Sequence, residues 1–122
     1  MINSYKNNNS LDKRKCDFNR IRAKHINYIP VIINCCKNLE KSLKKTKFLV
    51  PNDVSSSHLL FSIRKHIKID SSTAIFMFVD NTMLCSTVMM SDIYNNYCEK
   101  NKNKDDFDGF LYVNITTENT FG

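Results

Sequence analysis

The sequence predicts an α+β fold: a four-stranded mixed sheet with packed helices and an N-terminal helical extension. Three observations carry this. Four short runs rich in β-branched and aromatic residues read as strands. Two stretches between them repeat apolar residues at helical spacing. Only two glycines and two prolines occur in 122 residues, so turns fall to Asn, Asp and Ser.

Residues 1–10 are rich in Asn and read as a flexible arm. Residues 11–26 read as a helical extension in which Leu11, Phe18 and Ile21, with Cys16, can line one face. A strand follows over Tyr28–Ile33. Its Pro30 has no N–H, which places it where a ladder donor is not needed. A polar, basic connection from Cys35 to Lys45 leads to a second strand, Lys47–Val50, ended by Pro51. Ser55 or Asp53 can cap a helix reaching about Lys68, with Leu59, Leu60, Ile63 and Ile67 as its stripe. The apolar run Ile75–Val79 reads as a strand buried on both faces, and Asp80-Asn81 as a turn. A second helix starts near Ser86 or Thr87, with Met90, Ile93, Tyr94 and Tyr97 inward. Residues 99–108 form a charged loop, and 110–116 the last strand. Strand-strand-helix-strand-helix-strand is the order of the ubiquitin-like β-grasp, here spanning 27–117, with 118–122 as a flexible tail.

Composition narrows the function. No apolar run approaches the roughly 20 residues of a spanning helix, and the N-terminus lacks a secretory h-region. A soluble, intracellular chain is expected. The five cysteines are odd in number and form no C-x-x-C pair, which disfavours both a disulfide framework and a zinc site. Net charge is +6, split as +11 over residues 1–69 and −5 over 70–122. The basic half suits acidic peptides, anionic headgroups or RNA, or is simply a solvated face.

Several segments together go beyond pattern: Arg20-Ile21-Arg22-Ala23-Lys24, Ile29-Pro30-Val31-Ile32, Lys47-Phe48-Leu49-Val50-Pro51-Asn52-Asp53, Ile63-Arg64-Lys65, Ala74–Asn81, Met90–Tyr94, Asp108–Val113 and the terminal Glu-Asn-Thr-Phe-Gly. From about residue 17 onward the chain resembles the autophagy-related protein 8 family. These are ubiquitin-like modifiers that include GABARAP and the microtubule-associated light-chain-3 proteins. The resemblance implies a modifier rather than an enzyme, with no cofactor and no metal. The carboxylate of Gly122 would be activated by an E1-like enzyme, passed to an E2-like enzyme and joined to phosphatidylethanolamine on the autophagosome membrane. Phe121 stands at the family's penultimate aromatic. Glycine suits this role because it threads narrow clefts and leaves its carbonyl unhindered. A deconjugating cysteine protease would reverse the attachment. With nothing after Gly122, no priming cut is expected if this is the whole gene product.

The resemblance also implies cargo receptors with aromatic-x-x-aliphatic motifs that add a strand to the sheet edge. The aromatic pocket would use Asp17, Ile21, Pro30, Ile32, Lys47, Leu49 and Phe110. The aliphatic pocket would use Phe48, Val50, Pro51, Val54, Leu59 and Ile63. Lys45, Lys47 and His66 would meet the peptide's acidic flank. Each position has a plainer alternative: Ile32, Val50 and Ile63 fit core positions equally, Pro30 an edge-strand marker, Lys47 a solvated lysine, Asp17 a first-turn carboxylate. The chain departs from the family at several points. Ser62 replaces an apolar residue, which implies a shallower second pocket. His66 replaces Arg, which implies a weaker charge contact. His25-Ile26-Asn27-Tyr28 and Leu84-Cys85 stand where Tyr-Pro-Asp-Arg and a proline pair are usual, and the loop from Lys100 to Asp106 is longer.

Other classes fit less well. No histidine stands in a nucleophile context with a cysteine. Cys35 and Cys36 are adjacent, so on a strand they face opposite ways and do not make a metal pair. A nucleic-acid binder fits the basic half but no RNA-binding motif is present and the second half is acidic, so no nucleic-acid partner is expected. A non-conjugated ubiquitin-like adaptor would leave Gly122 dispensable. The expected protein is a monomer of the cytoplasm and, once lipid-anchored, of the autophagosome membrane.

Overall fold

Continuous burial along β1 (Tyr28–Cys35) explains the architecture: all but its first residue are buried, so both faces of this strand are covered. In the computed structural model, residues 4–85 and 87–117 are described. Ahead of β1 lie α1 (Ser4–Asn8) and α2 (Leu11–Lys24). After it come α3 (Lys37–Glu40), β2 (Lys47–Pro51), α4 (Ser56–Arg64), β3 (Ile75–Val79), β4 (Thr82–Met83), α5 (Met90–Asn101) and β5 (Leu111–Thr117).

The sheet order is β2-β1-β5-β3-β4, with β1 and β5 parallel and the other pairs antiparallel. The sheet therefore has five strands where four were expected. The fifth is the two-residue β4, which folds back on β3 through Asp80 (φ 48°) and Asn81 (φ 68°). Both turn residues sit at positive φ, the pattern of the tight hairpin turns that Asp and Asn tolerate. Val31, Ile33, Val113 and Ile115 meet Leu59 and Ile63 of α4 and Met90 and Ile93 of α5 in one core. The opposite face, bearing Pro30 and Ile32, is covered by α1 and α2.

Several expectations change. The Asn-rich arm contains helix α1, anchored because Tyr5 packs edge-on against Phe110 at 5.3 Å. Cys16 is exposed, and α2 instead buries Arg14 and Asp17. β3 is not buried on both faces: Ile75, Met77 and Val79 are buried, whereas Phe76 and Phe78 on the other face are half-open. Ile67 is buried beyond the end of α4, in an isolated bridge with Leu43. Pro30 is no edge marker, since β1 is interior. The hydrogen bond from Ile33 N to Thr46 O sets the ladder parity, so Pro30's nitrogen points away from β2 toward β5. Pairing with β5 starts only at Val31↔Leu111, so no donor is missed.

Candidate functional site

β2 is an edge strand. By the same parity, Phe48 and Val50 bond to β1, while the backbone groups of Lys47 and Leu49 face outward. Pro51, which has no N–H, closes this open edge. Beside it lies a cavity of about 430 Å³ lined by Ile21, Pro30, Lys47, Leu49 and Phe110, five of the seven residues expected for an aromatic pocket. Lys45 and Phe48 also line it, with Arg20, Lys24, His25 and Val31, which the sequence did not point to. Basic side chains thus rim an apolar floor. Lys45 Nζ stands 5.0 Å from the Phe48 ring centre, and His66 meets the same ring edge-on at 5.6 Å.

The other two expected residues are elsewhere. Ile32 lines a neighbouring cavity of about 340 Å³ with Tyr5 and Lys47. Asp17 is buried beneath Tyr5, whose hydroxyl donates to its Oδ2 at 2.9 Å. The Tyr5 ring in turn lies 4.5 Å from Lys47 Nζ. Tyr5 is thus joined to three of the expected pocket residues, Asp17, Lys47 and Phe110. Nothing in an arm of Asn and Lys marked it except that it is the lone aromatic there.

Burial works to raise the Asp17 carboxyl, but the Tyr5 hydrogen bond and the charges of Lys13 and Lys47 outweigh it and hold it below the usual value. A carboxyl with a lower pKa folded than unfolded stabilises the chain above its unfolded value, and that stability is lost as pH falls through the folded value. Tyr5→Phe removes the hydrogen bond and is expected to lower stability by about 1–2 kcal/mol near neutral pH. The difference from wild type should shrink in acid, as urea titrations at about pH 7 and about pH 3 would read.

The expected aliphatic pocket is not open. Val50 is 1% exposed, and Leu59 and Ile63 are 0%. Phe48 and Val50 alternate inward along β2 and pack in the same core as Leu59 and Ile63, so these side chains serve the core. Pro51 and Val54 are half-buried. Only Leu49, 40% exposed, presents a large apolar side chain on the strand's outer face.

Phe121 and Gly122 lie outside the described residues. The last one described, Thr117, pairs with Ile75 at the end of β5. Burial pushes the Cys35 thiol up to about 11, which leaves it little thiolate for nucleophilic chemistry. Among the described residues, no helix is long and apolar enough to cross a membrane.

The profile of the family described as "Autophagy protein Atg8 ubiquitin like" matches residues 13–122. Autophagy-related protein 8 of Emericella nidulans is 41% identical, covering 100% of this chain and 98% of that protein. Autophagy-related protein 8e of Arabidopsis thaliana is 40% identical over 97% and 92% of the two chains. Among solved structures, Trypanosoma brucei ATG8 superposes with a TM-score of 0.80 at 28% identity, covering 97% of each chain. Plasmodium falciparum Atg8 in complex with a Plasmodium falciparum Atg3 peptide gives 0.73 at 28% identity, covering 94% and 96%.

Proposed function

The chain belongs to the Atg8 family of ubiquitin-like autophagy modifiers, and from that premise we propose that it works through two separate parts. Gly122 carries the carboxylate that becomes an amide with phosphatidylethanolamine, so the chain is the substrate of conjugating enzymes and not itself a catalyst. The β2 edge takes aromatic-x-x-aliphatic peptides. The observation that supports the second part is the open edge of Lys47 and Leu49 running alongside the 430 Å³ cavity.

A peptide laid along β2 gains main-chain hydrogen bonds from Lys47 and Leu49, and its aromatic side chain enters the cavity over Pro30 and Phe110. Lys45 and Lys47 meet the acidic residues ahead of the aromatic, with His66 beside them against the Phe48 ring. Asp17 acts at one remove, by holding Tyr5 and Lys47. The aliphatic side chain finds Leu49, Pro51 and Val54 as a shallow surface, since Val50, Leu59 and Ile63 are committed to the core. The aromatic end therefore supplies most of the affinity. Because a solved relative carries an Atg3 peptide, an E2-like enzyme and cargo receptors are both proposed users of this edge, on the cytoplasmic face of the autophagosome membrane.

Calorimetric titration with an acidic-flanked aromatic-x-x-aliphatic peptide tests this. Lys47→Glu is expected to weaken binding at least about tenfold, a loss of about 1.4 kcal/mol. Moderate salt should leave most of the wild-type affinity. Unchanged affinity in the variant would contradict the proposal. So would RNA binding that collapses steeply with salt and competes with the peptide, the signature of a phosphate-driven site.

A further inference from the structure

The outer face of α4 carries Phe61, a phenyl ring 60% exposed to solvent. Lys65 packs on it, with Nζ 4.4 Å from the ring centre. The neighbouring side chain Arg64, one turn on, donates from Nη2 to the carbonyl of Thr73 at 2.8 Å. Thr73 lies two residues ahead of β3, and the first residue of β3, Ile75, pairs with Thr117. The end of α4 and the point where the C-terminal segment departs therefore share one end of the molecule. Backbone hydrogen bonds from Lys44 to His66 and from Lys68 to Ser42 bring two more cations alongside. Of the carboxylates near this end, Asp70 is engaged by Ser72, and Glu40 of α3 lines the cavity beside Cys35.

We propose that this end is a membrane-facing surface: Phe61 inserts between headgroups of an anionic bilayer while Lys44, Arg64, Lys65 and Lys68 meet the phosphates. The inference rests on the conjugation reading, because an anchored tail is what holds this end at the bilayer. Gly122 lies five positions beyond Thr117, a reach of at most roughly 17 Å when fully extended. An anchored chain thus keeps its basic end within about two Debye lengths of the surface. The occupant is lipid rather than a protein groove for two reasons. Phe61 projects from the outward side of a helix with its charged neighbours around it. Lysine stems can lie along the apolar layer with their ammonium groups in the headgroups.

The chain contains no tryptophan, so Phe61→Trp gives a single reporter. A C-terminal hexahistidine extension on vesicles containing a nickel-chelating lipid supplies the tether without the conjugating enzymes. On vesicles rich in phosphatidylserine, Phe61→Trp emission should shift to the blue. A Tyr28→Trp control, at the opposite end of β1, should not move. On phosphatidylcholine vesicles with the same tether, neither should shift. Without the tether, Lys65→Gln with Lys68→Gln should weaken partition to phosphatidylserine vesicles by about fivefold per lysine. An unshifted Phe61→Trp on tethered anionic vesicles, or equal shifts at both sites, would overturn the inference. Because the tag replaces the natural attachment, a failure here is distinct from a failure of Gly122 conjugation, which the mass of the cellular protein reads separately.

Discussion

Replacing Asp108 with alanine is expected to cost the folded chain about 3–5 kcal/mol, the penalty of leaving a buried cation without its partner. Arg14 of α2 is 6% exposed and donates from Nη1 to Asp108 Oδ2 at 2.7 Å, across 94 positions of sequence. Tyr112 donates its hydroxyl to the same oxygen. Burial, and then this hydrogen bond, push the Tyr112 phenol up, so it stays a donor throughout the working range. The other oxygen, Oδ1, accepts from the backbone N–H of Phe110 at 2.9 Å. One carboxylate therefore ties α2 to the entry of β5 and fixes the residue at the floor of the peptide cavity. Asp108→Ala should lower the urea midpoint without changing the m value and weaken peptide binding with it. Adding Arg14→Met should recover much of the loss, because the stranded charge is then gone. A single-variant loss under about 1 kcal/mol, or no recovery in the double variant, would show that the ion pair is not what docks α2.

Gly109→Ala is the second large effect, about 3 kcal/mol of destabilisation from two sources that reinforce each other. Gly109 has φ +99°, a region that L side chains rarely adopt. A Cβ there would also lie 2.7 Å from the Phe18 ring. That ring packs edge-on against Phe110 at 5.5 Å, so it cannot retreat without disturbing the cavity floor. Thermal melting should show the drop, and Phe18→Ala combined with Gly109→Ala separates the causes. The steric part disappears in the double variant and the φ strain remains. A Gly109→Ala melting point equal to wild type would contradict both.

These two positions also show what the sequence could and could not reveal. β1, β2 and β5 were legible because β-branched runs ended at Pro or at polar residues. α4 and α5 were legible because Leu59, Ile63, Ile93 and Tyr97 recur at helical spacing. The Arg14–Asp108 pair was not, since a lone Arg in a basic helix reads as solvated and its partner lies in a distant acidic loop. β4 was missed because two residues carry no periodicity, although the Asp80-Asn81 turn that creates it was visible. The apolar run of β3 indicated a strand but not its exposure: Phe76 and Phe78 are as apolar as Ile75 and Met77, and only the face of the sheet they occupy sets them apart.

The site divides the same way. Pro30, Lys47 and Leu49 were expected from the family resemblance, and they line one cavity between β1 and the β2 edge. Val50, Leu59 and Ile63 came from the same resemblance, yet their alternation and spacing equally indicated the core, and burial settles where they are. Tyr5 had no periodic signal at all. Its contacts with Asp17, Lys47 and Phe110 depend on a helix of five residues docking against α2, β2 and the entry of β5.

The most direct test of the proposed modifier is the intact mass of membrane-bound protein from starved cells, wild type beside Gly122→Ala. A wild-type mass raised by one phosphatidylethanolamine, with the addition absent from the variant, is the expected result. An unmodified mass in both would contradict conjugation through Gly122 and leave the chain as a ubiquitin-like adaptor that works through its β2 edge alone.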